Sequence, residues 1–222
     1  MRTMWWVGVA LTLSCVSAST ARARAPGPRS SADLPAGLAL AAERAGLRPE
    51  VLRLALKAHV AVTARHLTNR PLLTIIDYSL GSREKRLWVL DVERDTVLAR
   101  ELVAHGRNTG GDLAERFSNV PGSLQSSLGV FLTGGTYTGK HGLSLRLKGL
   151  ERVNDKAEAR AIVVHGADYV NDFIGRQLGR LGRSQGCPAL SRAVAPRIIR
   201  LIQGGTVLFA YHPSLRSELA GV

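Results

Sequence analysis

Residues 72–104, LLTIIDYSLGSREKRLWVLDVERDTVLARELVA, decide the fold class. Three short runs inside this stretch, 72–78, 86–92 and 96–104, are rich in β-branched and aliphatic residues, and Gly, Ser and Asp separate them. The pattern predicts three strands, with Glu93-Arg94-Asp95 turning between the last two. Runs at 129–133, 161–164 and 206–211 continue the series. Two helical patterns lie upstream. Residues 38–45 are Ala/Leu-rich and stop at Gly46. Pro49 then suits a first helical position, and Val51, Leu52, Ala55, Leu56, His59 and Val60 recur at helical spacing to about Arg65. Residues 196–202 read as a short helix closed by Gly204-Gly205. The stretch 106–149 is rich in Gly, Ser and Asn; apart from 129–133 it reads as loop, and loops that long are usually functional. The expected fold is mostly β, with two N-terminal helices and a short helix near the C-terminal end.

The 222 residues suit one domain with a small appendage. Hydrophobic residues make up 45% and charged residues 21%, a globular composition. Aromatics are only 5%, so the core must be aliphatic. Residues 1–25 read as a secretory signal: Arg2, a short apolar run over 4–16, then small residues, with A-x-A patterns ending at Ala23 and Ala25. The run is short for a membrane anchor, and Thr12 and Ser14 interrupt it. Cys15 lacks the Leu three positions earlier that an acylated cysteine requires. The division that follows is a signal at 1–25, a Pro/Ser/Arg linker at 26–36, helices at 37–70, a catalytic domain at 71–213 and a tail at 214–222. The expected location is the periplasm or cell envelope, with no membrane span after the signal is removed.

Removal of residues 1–25 takes Arg2, Arg22 and Arg24 and no acid, so the net charge falls from +13 to +10. The arginines are dispersed, aromatics are few and the protein is expected outside the cytoplasm, which together argue against nucleic acid. Removal also leaves a single cysteine, Cys187. One thiol cannot form an internal disulfide. In an oxidising compartment it is either buried and inert or kept for chemistry.

The chemistry concentrates in residues 161–190, AIVVHGADYVNDFIGRQLGRLGRSQGCPAL. A buried-type strand delivers His165 at its end, next to Gly166. Gly182-Arg183-Ser184-Gln185-Gly186-Cys187-Pro188 follows. Gly186 allows a tight turn that aims main-chain N–H groups past the thiol, where they suit a developing oxyanion. A thiol needs a base to become a nucleophile, and His165 is the candidate. A backbone carbonyl or Ser184 would orient its ring, and Gln185 would add a polar contact. A small inert hydrophobe is the plain reading of Cys187; the polar, turn-like flanks argue for chemistry instead.

This stretch and much of the chain, from about Leu72 to Pro213, resembles the murein L,D-transpeptidase catalytic-domain family in its second, cell-envelope branch, with a Ser-x-Gly-Cys-Pro motif. The resemblance rests on an ordered series. It includes Asp77-Tyr78-Ser79, Ala104-His105-Gly106-Arg107-Asn108, Phe117-Ser118-Asn119, Ser126-Ser127-Leu128-Gly129 and Tyr137-Thr138-Gly139-Lys140-His141-Gly142. It continues through Ser144-Leu145-Arg146-Leu147, Val164-His165-Gly166-Ala167-Asp168-Tyr169, the Cys187 motif and Gly205-Thr206-Val207-Leu208-Phe209. The resemblance implies a β-sandwich-like domain with Cys187 as nucleophile and His165 as base.

It also implies action on peptidoglycan tetrapeptide stems through a Cys thioester, with release of D-alanine and formation of a crosslink. Hydrolysis of the same stems, as a carboxypeptidase or endopeptidase, is the alternative within chemistry. A non-catalytic envelope-binding module is the alternative of another class. The family's other branch has His before the Gly-Cys pair and Ile-Arg after it. Here Gln185 and Pro188-Ala189 stand there, so the carboxylate-clamping Arg is missing at that place, and Arg183 is the candidate substitute. His141, with Tyr137 and Lys140 beside it, is expected to line the substrate groove. No cofactor is expected. His105, His141, His165 and Cys187 are metal-ligand types, but no pair has the close spacing of a common zinc motif.

Overall fold

The computed structural model describes Met1 and residues 35–222. The expected signal at 1–25, and the linker as far as residue 34, lie outside the described residues.

Two helices come first, α1 (Ala36–Arg44) and α2 (Pro49–Ala64). Gly46 ends the first in the left-handed conformation, with φ at 72°. Its N–H donates to the Glu43 carbonyl and the Leu47 N–H to the Ala42 carbonyl, the paired bonds that stop a helix at a glycine. Pro49 opens the second helix, where its missing N–H costs nothing. Val51, Leu52, Ala55, Ala58, His59 and Val62 form the buried face, which rests on the sheet. Burial of each Val or Leu there contributes about 1.5–3 kcal/mol.

Eight strands follow: β1 (Leu72–Asp77), β2 (Lys85–Asp91), β3 (Thr96–Leu102), β4 (Gly129–Gly139), β5 (Gly142–Gly149), β6 (Val163–Ala167), β7 (Ala189–Ser191) and β8 (Val207–Tyr211). Helix α3 (Asp172–Leu178) lies between β6 and β7, and α4 (Ala195–Ile202) follows β7. All eight strands form one sheet in the order β3-β2-β1-β8-β4-β5-β6-β7. Its two edges meet. Just beyond β3, the Ala104 N–H donates to the Ala189 carbonyl at 2.8 Å, and the Ala189 N–H donates back at 3.3 Å. The sheet therefore closes on itself, and these edge groups are satisfied within the molecule. Mostly β with two N-terminal helices is the architecture observed.

The stretch 106–149 holds more strand than its composition suggests. β4 runs on to Gly139, and β5 pairs with it as an antiparallel hairpin. A register shift lies between Thr133 and Thr136, at Gly134-Gly135. The one extra residue bends the strand there. His165 is the third of five residues in β6, inside the strand and not at its end.

Two polar clusters anchor the periphery. Arg48, just before α2, donates from Nε and Nη2 to the buried Asp77 carboxylate at 3.1 and 2.8 Å, and from Nη2 to Ser79 Oγ at 2.7 Å. This ties the helices to the end of β1. Residues 214–222 are also packed: Ser217 Oγ and the Leu219 N–H donate to Glu151 Oε1, and the Val130 N–H donates to Glu151 Oε2.

Candidate active site

Cys187 sits in the loop that leads into β7, and the loop is braced at Ser184, Gly186 and the Cys187 carbonyl. The Ser184 N–H donates to the His105 carbonyl at 3.0 Å, and the Arg107 N–H donates to the Ser184 carbonyl at 2.8 Å. Ser184 Oγ accepts from the Gly186 N–H at 3.1 Å and donates to the Cys187 carbonyl at 2.6 Å. Ser126 Oγ donates to the Gly186 carbonyl at 3.1 Å. Gly186 has φ at 123°, and a Cβ there would lie 2.7 Å from the Gln125 carbonyl oxygen. Only glycine fits. Ser184 thus fixes the turn of the loop and does not orient His165. The Gly186 N–H is already bonded, whereas the Cys187 N–H has no acceptor among the described residues. It is the donor left for a developing oxyanion.

His165 lies on the neighbouring strand. β6 and β7 run parallel, with His165 opposite Ala189, two residues past Cys187. Nδ1 of His165 lies 3.0 Å from the Gly166 carbonyl oxygen. A carbonyl only accepts, so Nδ1 carries the proton and Nε2 keeps a free lone pair. The backbone carbonyl is the orienting group. Burial, above all, pushes His165 below the usual imidazole range, and the positive fields of His141, Arg192 and Lys140 add to this.

The Cys187 thiol is partly buried, and Sγ donates to the Ala161 carbonyl at 3.7 Å. No hydrogen bond joins Sγ to His165 among the described residues. Burial pushes the thiol up, while the Val163 backbone, Arg160 and Lys140 pull it down. The thiol raised and the imidazole lowered together favour a neutral pair at rest.

One rung of the sheet joins Tyr137 to His165. Tyr137, Ser144, His165 and Ala189 are register partners across β4, β5, β6 and β7. Partners in register point to the same face. Tyr137 is exposed on it, with the Arg146 guanidinium 4.6 Å from its ring centre. His141, at the tip of the β4–β5 hairpin, stacks on His165 with ring centres 4.3 Å apart and planes 28° from parallel. Gln185 is exposed beside the loop. Arg183 is committed elsewhere, since Nη1 donates to the Arg107 and Gly110 carbonyls at 3.2 and 2.7 Å.

His105 is buried behind the nucleophile loop. Arg86 Nη2 donates to its Nδ1 at 2.8 Å, which places the ring proton on Nε2. Burial and then the Arg86 charge push it down to about 4. Arg86 is itself fully buried, is pushed down to about 10 by burial, and stacks over Tyr78 at 5.2 Å. Among the described residues no group of His, Cys, Asp and Glu side chains is arranged to hold a metal ion. A surface depression lined by Phe117, Asn119, Val153, Leu215 and Arg216 includes neither Cys187 nor His165.

Three cations around the site escaped sequence reasoning as site residues. Lys140 neighbours His141 at the hairpin tip. Arg192 forms a two-pronged pair with Asp168, at 2.7 and 2.8 Å, on the β7 side. Arg160 immediately precedes Ala161, whose carbonyl holds the thiol, and this adjacency was the one available signal.

A closed, mostly β sheet, with Cys187 in the loop before β7 and His165 on the adjacent β6, defines the class. The chain belongs to the L,D-transpeptidase catalytic domain family, whose sequence model matches residues 43–211. Solved structures similar to it include an L,D-transpeptidase from Mycobacterium smegmatis, at 13% identity and TM-score 0.40, with 64% of this chain and 59% of that one covered. The helical cell shape determining protein Pgp2 from Campylobacter jejuni is 12% identical, with TM-score 0.43 and coverage of 70% and 56%. An L,D-transpeptidase from Xylanimonas cellulosilytica is 16% identical, with TM-score 0.36 and 78% of each chain covered. The chain thus spans less than two thirds of the length of the first two. No curated protein matches it. No described helix is long and apolar enough to cross a membrane.

Proposed function

We propose that the chain is a cysteine-dependent L,D-transpeptidase acting on peptidoglycan tetrapeptide stems. The observation that carries this reading is the placement of Cys187 beside His165, whose Nδ1 proton is held by the Gly166 carbonyl and whose Nε2 is free. A stem enters over the Tyr137–His165 rung. Cys187 Sγ turns from the Ala161 carbonyl, His165 Nε2 takes its proton, and the sulfur attacks the carbonyl of the third residue. The oxyanion forms against the Cys187 N–H. The tetrahedral intermediate collapses, the C–N bond breaks, and His165 returns the proton to the departing D-alanine amine. The side-chain amine of a second stem, deprotonated by His165, then attacks the thioester. The new amide forms and the thiol is restored.

The site works where the polymer is, so residues 1–25 serve as an export signal and the protein acts in the periplasm or cell envelope. The groove contacts fall to His141 and Tyr137, with Gln185 at its rim. The test is incubation of the purified protein with disaccharide tetrapeptide, read by mass spectrometry. Loss of D-alanine with a crosslinked dimer is expected. D-alanine release with only a tripeptide product would make the protein a carboxypeptidase. A Cys187→Ala variant that still releases D-alanine would remove the mechanism. Failure of imipenem to acylate Cys187 in the wild-type protein would favour a binding module.

A further inference from the structure

Arg160 is a half-buried guanidinium that no carboxylate pairs with among the described residues. Four neutral oxygens hold it instead. Nη1 donates to the Ser118 carbonyl at 2.6 Å and to Ser127 Oγ at 2.5 Å. Nη2 donates to Ser123 Oγ at 3.1 Å and to the Gln125 carbonyl at 2.6 Å. Neutral acceptors fix the fork in place and leave its charge uncompensated. A half-buried cation with no counter-ion keeps a field that a pair with a carboxylate would cancel.

Two contacts aim that charge at the nucleophile. Arg160 Nη2 lies 3.3 Å from the point where a Cβ on Gly186 would stand, so the guanidinium packs against the residue before Cys187. The next residue in the chain, Ala161, holds φ at 52°, a conformation rare outside glycine, and its carbonyl accepts from Cys187 Sγ. The segment 160–161 thus meets the thiol with an acceptor for the proton-bearing form and a cation for the form without it.

We propose that Arg160 is a positioning residue that supplies the counter-charge of the Cys187 thiolate. This rests on the reading of Cys187 as the nucleophile, and it adds a group that the Cys-His pair lacks. Burial disfavours the thiolate, and Arg160 and Lys140 oppose that burial. Arg160 is the better held of the two, because Lys140 is exposed at a hairpin tip. The other titratable groups facing the sulfur are His165 on β6, Tyr78 at the end of β1 and Tyr169 after β6. Burial pushes both tyrosines up to about 12, so they are neutral across the working range. Arg160 and Lys140 are then the charges that act on the thiolate, with His165 as its proton acceptor.

The experiment is the rate of Cys187 alkylation by iodoacetamide as a function of pH, in wild type, Arg160→Gln and Arg160→Lys, with circular dichroism to verify the fold. Arg160→Gln is expected to move the midpoint up by about one unit, so that alkylation at pH 7 slows about tenfold. Arg160→Lys keeps a cation and is expected to recover at least half of that shift. A merely structural stitch between the 118–127 loop and the nucleophile loop predicts equal effects of Lys and Gln. Equal effects, or a folded Gln variant with an unmoved midpoint, would overturn the proposal. Should Arg160→Gln fail to fold, Ser127→Ala decides. It keeps the cation and removes one anchor, so a smaller upward shift, about twofold in rate at pH 7, supports the proposal and an unmoved midpoint refutes it. Alkylation reads the thiol directly. D-alanine release by Cys187→Ala would instead remove the nucleophile reading and leave this profile intact.

Discussion

A methyl group at Gly186 has nowhere to go. With φ at 123°, alanine is strained before it meets a neighbour, and its Cβ would meet the Gln125 carbonyl oxygen at 2.7 Å, Ile162 Cδ1 at 3.2 Å and Arg160 Nη2 at 3.3 Å. The nearest of these is backbone and cannot swing aside. Gln125 is further held by the Arg160 guanidinium on its carbonyl. The backbone conformation alone costs about 1–3 kcal/mol. With the clash added, Gly186→Ala should cost about 3 kcal/mol, which for a domain of this size lowers the melting temperature by about 6–12 °C. The strain is relieved by shifting the loop, and the shift falls on the bond from Ser126 Oγ to the Gly186 carbonyl and on Cys187 next to it. A displacement of about 1 Å at a reacting group costs roughly a hundredfold in rate. The assay pairs thermal unfolding with imipenem acylation of Cys187. Both should fall, with acylation lost even at temperatures where the variant is folded. A Gly186→Ala variant with wild-type melting temperature and wild-type acylation would show that the nucleophile loop is not the rigid support described above.

His141→Phe keeps a ring over His165 and removes a positive charge that opposes protonation of the base. Lys140 and Arg192 remain to act in the same direction. The His165 imidazolium becomes easier to form, so the acid limb of the pH profile of kcat/KM should move to higher pH, by about half a unit; a limb that stays put would mean the stacked ring carries no field. Stability should also depend on His105, which is held neutral and pushed down to about 4 while an unfolded histidine titrates near 6.5. Between those values the unfolded chain binds the extra proton. Stability is therefore fully present above about pH 6.5 and is lost as the pH falls towards 4, by about 3 kcal/mol. Urea unfolding at pH 7 and pH 4.5 measures this, and the loss should shrink in His105→Gln; an equal loss in that variant would place the acid sensitivity elsewhere.

The pair proposed for the chemistry stood out in the sequence because Cys187 is the one thiol beyond residues 1–25 and His165 directly follows the apolar run 161–164. The first three strands and the two N-terminal helices were legible because their apolar residues keep a regular period up to a clear breaker, such as Gly46 or the turn at Glu93-Arg94-Asp95. β5 was not, since GLSLRLKG alternates Leu with polar residues but has no β-branched residue and sits between glycines. The continuation of β4 was hidden by Gly134-Gly135, which read as a stop and are a bulge. β7 is three residues long and α3 only seven, too short for a period to register. What surrounds the thiol was least legible. The sequence suggests Arg183 because it is near Cys187 in the chain, but its guanidinium is turned to the 107–110 loop. Arg160 packs against Gly186 because the fold brings 160–161 beside the Cys187 loop. Ser184 reads as a partner for the histidine and is a brace within its own turn.

The closure between Ala104 and Ala189 bears on when the turn around Cys187 becomes rigid. The seam joins a segment from the first half of the chain to one close to its end, and the cysteine lies two positions before that seam. Contacts so distant along the chain are made late, after the nearer hairpins. Until the seam forms, the turn before Cys187 lacks the bonds from Ser184 to the His105 carbonyl and from the Arg107 N–H, and only β6 supports it from the other side. The turn that carries Cys187 is thus clasped from both sides only once the two edges of the sheet have joined.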